Sequence, residues 1–147
     1  MSSDLNRFVD AQVNFYESAR KEILNSKKTS HWMWFIFPQL KGLGRSDIAR
    51  KYEIEDRKEA ELYLEHDLLS TRLLDLTEIL VNDSSGKTAE DIFGYPDYLK
   101  FHSCLTLFYL AVREMKDTSA SERFSVFQKA LDKYYAGHLD EESVVRL

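Results

Sequence analysis

Apolar residues recur at intervals of three and four along most of the chain, and this spacing predicts helices. Leu5, Phe8, Val9, Tyr16, Ala19 and Ile23, with Gln12 among them, share one face of a first helix. Asp4 opens it, since its carboxylate can accept from the unpaired N–H groups of a first turn. The helix ends in the polar run Asn25-Ser26-Lys27-Lys28-Thr29-Ser30. Next comes His31-Trp32-Met33-Trp34-Phe35-Ile36-Phe37, apolar but for the histidine and closed by Pro38. Periodicity alone does not separate a buried strand from a buried helical turn there. Ser30 as a cap, with helices on either side, favours a short helix, and places His31 and Trp34 on one face of it.

Beyond the loop Gln39-Leu40-Lys41-Gly42-Leu43-Gly44-Arg45, Ser46 is placed to cap a helix running to Tyr52. Asp56 and Glu59 resemble a capping box ahead of Ala60, Leu62, Tyr63 and Leu64, and His66-Asp67 breaks that helix. Leu69, Leu73, Leu76 and Leu80 predict an amphipathic helix that stops at Asn82-Asp83-Ser84-Ser85-Gly86. Thr88 and Asp91 read as a second capping box, with Gly94 at the helix end. Pro96 suits the first turn of a long helix carrying Phe101, Leu105, Phe108 and Val112. Ser119 with Glu122 opens another, through Phe124, Phe127, Leu131, Tyr134 and Tyr135 to Gly137, and Asp140 caps a last short one. No alternation of period two persists, no repeat occurs and no linker divides the chain. The expected fold is all-α, a single compact multi-helix domain over residues 1–147.

Composition sharpens this picture. A chain of 147 residues can bury about two-thirds of its unfolded surface, enough for an ordinary core. With 2 Trp, 8 Tyr and 9 Phe, that core should be rich in rings, with tyrosine hydroxyls seeking partners at its edge. A net charge of −5 exerts no long-range pull on phosphate backbones, so no nucleic-acid partner is expected. Lys27-Lys28 reads as a solvated turn. The single cysteine, Cys104, excludes an internal disulfide and fits a reducing compartment. The polar start Met1-Ser2-Ser3-Asp4 lacks a signal-peptide core, and the uncharged runs at 29–40 and 101–112 fall short of the roughly 20 residues a membrane span needs. The expected protein is cytoplasmic, without a membrane partner. Its oligomeric state stays open.

Four apparent motifs carry little. Ser85-Gly86-Lys87-Thr88 ends like a phosphate-binding loop, but Val81 stands where that loop requires its first glycine. His31, His66, His102 and His138 share no helical or hairpin spacing, so no metal site is expected, and no cofactor motif is present. Cys104 sits beside Leu105 in an amphipathic helix and reads as a small buried residue. The acidic run from Glu59 to Asp67 reads as a solvated face.

Two segments are stronger. At residues 30–46, both tryptophans stand beside His31, Gln39 and Gly42-Leu43-Gly44. The glycines would let a ligand approach the backbone, Arg45 adds charge, and Ser46 opens a helix whose free N–H groups attract anions. Trp32 or Trp34 could stack on a flat ring. The plain alternative is an aromatic core segment followed by a loop. In the second segment Lys100, Ser103 and Thr106 recur at helical spacing, near His102 and Tyr109. Such a stripe either lines a cavity or faces water.

These residues also carry a resemblance. Ser30-His31-Trp32-Met33-Trp34-Phe35-Ile36-Phe37-Pro38-Gln39, Gly42-Leu43-Gly44 with Ser46, Tyr52 with Ile54, Ala60 with Tyr63-Leu64 and His66, Ile92-Phe93-Gly94 with Pro96-Asp97, Lys100, and Thr106-Leu107-Phe108 resemble the domain-of-unknown-function family 1810. The likeness covers nearly the whole chain and implies a small, bacterial-type helical domain. Members sometimes carry the label calpastatin-like, which nothing in this sequence supports. The resemblance implies no catalytic roles. This chain departs from the family at Asp67, where a proline is common, near Ser70, where a glycine is common, and at His102, where an arginine is usual. A neutral His102 would hold an anion only weakly.

The leading expectation is a site for an anionic, ring-bearing small molecule, such as a nucleotide derivative, between the 30–46 segment and the Lys100 helix. His31 would be its acid or base. Trp32 and Trp34 would stack on the ring, and Gln39, Gly42, Gly44, Arg45, Ser46, Lys100 and Ser103 would contact the ligand. The rival is a non-enzymatic protein-interaction module whose aromatics are core. Convergence of His31, Gln39, Ser46 and Lys100 on one concavity separates the two.

Overall fold

The computed structural model describes residues 4–147, and the polar start Met1-Ser2-Ser3 lies outside them. Eleven helices follow one another among the described residues: α1 Asn6–Val13, α2 Tyr16–Leu24, α3 Met33–Ile36, α4 Asp47–Lys51, α5 Arg57–Glu65, α6 Asp67–Asn82, α7 Ala89–Phe93, α8 Asp97–Glu114, α9 Ala120–Arg123, α10 Val126–Tyr135 and α11 Glu141–Arg146. The only extended pairing among them is an isolated parallel bridge between Leu40 and Ile54. The fold is all-α, and no described helix is long and apolar enough to cross a membrane.

Local chemistry sets most boundaries. Ser46 accepts from the Ala49 N–H and Asp56 from that of Glu59. His66, at the junction of α5 and α6, accepts through Nδ1 from the Leu69 N–H. Thr88 and Asp91 complete a reciprocal capping box, and Asp140 accepts from the Ser143 N–H. Four expectations need correction. The first helix is two, since the chain kinks at Asn14-Phe15, and Leu5 rather than Asp4 precedes its first turn with no side-chain cap. The Ser119 helix also breaks, at Phe124-Ser125. Trp32, not Ser30, precedes α3, so His31 lies outside that helix and shares no helical face with Trp34. Glu59 is buried: its carboxylate accepts from the Glu55 N–H and pairs with Arg7 at 3.1 Å, so it is no solvated charge.

The core gathers on two helices. α8 packs against α5, α7, α9, α10 and α11, and α6 against α1, α2, α5 and α10. Phe101, Leu105, Phe108 and Val112 of α8 are buried, as are Leu69, Leu73, Leu76 and Leu80 of α6. Rings from other elements meet those of α8 at angles: Phe37, just after α3, stands edge-on to Phe101 at 4.9 Å, and Tyr63 of α5 packs on Phe108 at 5.2 Å. Cys104 is buried in this core, which pushes its thiol pKa well up and leaves it unreactive.

Candidate functional site

The loop before α3 is held by one acid and one base. Glu22 Oε1, on the last turn of α2, accepts from the N–H groups of Thr29 (2.6 Å) and Ser30 (2.9 Å) and from Trp32 Nε1 (3.1 Å). Burial pushes this carboxyl upward, but the hydrogen bonds outweigh it and hold its pKa below the ordinary value. On the other side, the Lys28 N–H donates to the Ile92 carbonyl, and its ammonium pairs with Asp97 Oδ2 at 2.8 Å. The Lys28 side chain is only 7% exposed and lies over the Trp32 ring, so it is a buried ion-pair partner rather than a solvated turn. The turn from α2 into α3 is thus fixed against the start of α8.

That arrangement places Trp34 beside Lys100. Trp34, Gln39, Tyr52 and Lys100, with the core residues Met33, Phe37 and Ala49, line a narrow recess. Its free volume is about 10 Å³, the room of one water. The Lys100 ammonium stands 5.1 Å from the centroid of the Trp34 ring. It is 3.7 Å from Asp97 Oδ1, a looser contact than Lys28 makes with the other oxygen. Gly44 lets the loop close here: a Cβ at that position would stand 2.5 Å from Ala49 Cβ and 3.2 Å from Gln39 Nε2. The site offers a cation, an indole face, an amide and a phenol within one crevice.

The remaining expected residues lie elsewhere. His31 is exposed and does not line the recess. Trp32 is fully buried, with its indole N–H on Glu22 and its ring against Phe37, so it has no free face for stacking. Ser46 is occupied as the cap of α4, and Arg45 is exposed. Gly42 (φ +91°) takes a left-handed turn under the Arg146 side chain. Ser103 donates to Asp140 Oδ2 at 2.8 Å, and Thr106 accepts from the Asp140 N–H at 2.9 Å. Two members of the polar stripe on α8, Ser103 and Thr106, are therefore the seat of α11, while Lys100 lines the recess. His102 belongs to the same seat, with Nε2 2.7 Å from the His138 carbonyl and its ring stacked on Tyr135 at 4.0 Å.

Of the four residues expected to converge, Gln39 and Lys100 meet, with Trp34 beside them, while His31 and Ser46 stay apart, as does Ser103. Sequence reasoning missed Tyr52 and the Lys28–Asp97 pair. Tyr52 showed only as an aromatic at a helix end and as part of the family resemblance, and the pair joins positions too far apart in the chain for any spacing rule to link.

The family described as "Protein of unknown function (DUF1810)" matches residues 2–147. Comparison with curated proteins finds no match. Among solved structures, the crystal structure of a conserved hypothetical protein from Mycobacterium tuberculosis is 42% identical. It superposes with a TM-score of 0.88, over 98% of this chain and 96% of that one. The sequence match runs through every element that builds the recess, from α2 to α8, and the chain belongs to this family of proteins of unknown function.

Proposed function

We propose that the protein binds an anionic, ring-bearing small molecule, of the nucleotide-derivative kind, at the Trp34–Gln39–Lys100 recess. The observation that carries this reading is the Lys100 ammonium held over the Trp34 indole. A cation and a flat π-face side by side match a ligand with an anion next to a ring. The Gln39 amide adds a donor and an acceptor, and Tyr52 a hydroxyl, for the ring edge. His31, exposed and outside the recess, is not placed to transfer a proton to a ligand held there, so the reading is one of binding. The rival, a protein-interaction module, draws on the exposed apolar residues Val13, Leu24, Tyr95 and Val145, which are spread over α1, α2, the α7–α8 turn and α11.

The test is a thermal-shift series with the 5′-monophosphates of adenosine, guanosine, cytidine and uridine. A ligand at 100 times its dissociation constant adds about 2.7 kcal/mol, a rise of several degrees for a chain of this size. Gln39→Ala should weaken that response while leaving the unliganded melting temperature within a degree or two. Silence from all four monophosphates would remove this reading and favour the interaction module.

A further inference from the structure

Resting on that binding reading, we propose that Lys100 is the specificity-determining gate of the recess: it covers Trp34 in the free protein and leaves only for a ligand that brings its own anion. The face of Trp34 on which a ring would stack is already taken by the ammonium at 5.1 Å. The free volume of about 10 Å³ admits no ring until some wall residue moves. Met33, Phe37 and Ala49 are locked in the core. Of the half-buried wall residues Trp34, Gln39, Tyr52 and Lys100, Lys100 has the longest and most flexible side chain, 23% exposed.

The charges around it favour that movement. Asp97 is committed to Lys28, whose 2.8 Å contact and 7% exposure mark the tighter pairing. Lys100 keeps only a 3.7 Å share of the same carboxylate. Two ammonium groups and one carboxylate leave one positive charge without a full partner. A phosphate or carboxylate on the ligand gives Lys100 a charge-assisted hydrogen bond stronger than a cation–π contact. As Lys100 moves out, it uncovers the indole for the attached ring. A neutral ring of the same shape must displace Lys100 without offering it an anion. Selection for ring and anion together thus follows from one side chain with two positions.

The experiment compares the four 5′-monophosphates with their nucleosides, by titration calorimetry, on wild type, Lys100→Ala and Lys100→Arg. Alanine suits the helix position and leaves Asp97 paired with Lys28, and circular dichroism checks that the variants fold. Wild type should prefer the best monophosphate over its nucleoside by about tenfold or more, the worth of one charge-assisted contact. In Lys100→Ala that preference should collapse to within about twofold, with the nucleoside bound more tightly than by wild type, because its stacking face stands open. Lys100→Arg should keep the preference. If Lys100→Ala retains the preference, or binds the nucleoside no better than wild type does, the gate is refuted while the binding reading stands. If wild type binds none of the eight compounds, both fall together.

Discussion

At Glu22 a single carboxylate oxygen satisfies three nitrogen donors, two from the backbone of the turn and one from the buried Trp32 indole. Removing it strands those donors, so Glu22→Ala should cost about 1–3 kcal/mol, read from denaturant midpoints. The pH dependence has a definite sign. The folded-state pKa is lowered, so the contribution is present above the unfolded value of about 4.3 and fades as pH falls through the folded value. The stability gap between wild type and Glu22→Gln should therefore narrow below about pH 4, and a gap constant from pH 7 to pH 3 would contradict this assignment. A second residue-scale prediction concerns Ala136, which ends α10 in the left-handed region at φ +54°. Glycine carries no steric penalty there, so Ala136→Gly should stabilise the protein by about 0.5–1 kcal/mol in the same assay. Caps such as Ser46, Asp56, Thr88 and Asp140 were legible because each acts on an N–H three residues along. Glu22, Lys28 and Glu59 were not. Their roles depend on partners that only the folded chain supplies.

Among the elements, α6 ends against a lysine from another helix. The Lys133 ammonium of α10 donates to the carbonyls of Leu80 and Val81 at 2.8 and 3.0 Å, and also to that of Asp83, while the Tyr134 hydroxyl donates to Leu80 at 2.6 Å. These acceptors belong to the carbonyl-rich end of a helix, where a cation is favoured. Lys133→Met should cost about 1 kcal/mol and speed amide exchange in the last turn of α6, leaving α8 unchanged. The helix count exceeded what periodicity predicts for a related reason. At each kink one residue alone, Phe15 (φ −123°) or Phe124 (φ −105°), leaves helical angles while Asn14 and Ser125 keep them, so the apolar spacing runs on nearly in phase and gives no sign of a break. Gln12 was legible as part of an apolar face but not as its pin: its amide donates to the Phe35 carbonyl at 2.8 Å and to the Tyr63 hydroxyl at 3.2 Å, tying α1 to α3 and α5.

For the molecule as a whole, the all-α class was legible because the leucine and phenylalanine faces of α6 and α8 are long and regular. How other helices surround them was not. The stripe Lys100, Ser103 and Thr106 looks uniform in sequence, yet its first member borders the recess and the other two seat α11. One helix therefore ties the candidate site to the C-terminal segment. The recess draws on α3, α4 and α8 together, so it exists only once the bundle has closed, and no single stretch of sequence contains it.

The bridge between Leu40 and Ile54 has a bearing on how this family can diversify. The Lys41 N–H reaches the Ile54 carbonyl at 2.8 Å, and the Ile54 N–H reaches that of Gln39 at 2.9 Å, so the chain leaves and re-enters the bundle at one knotted point. The stretch in between, with α4, forms a bay off that point, its far side moored by Arg7 on the Lys51 and Glu53 carbonyls and by Tyr52 against Phe8 and Phe35. Insertions or rewritten residues in such a bay lengthen its shore without moving its mouth, because closing a longer loop adds only a small entropic cost. An insertion beside exposed Arg45 can thus lengthen the shore while Ala49, packed against Gly44, stays with Trp34 and Lys100 at the recess.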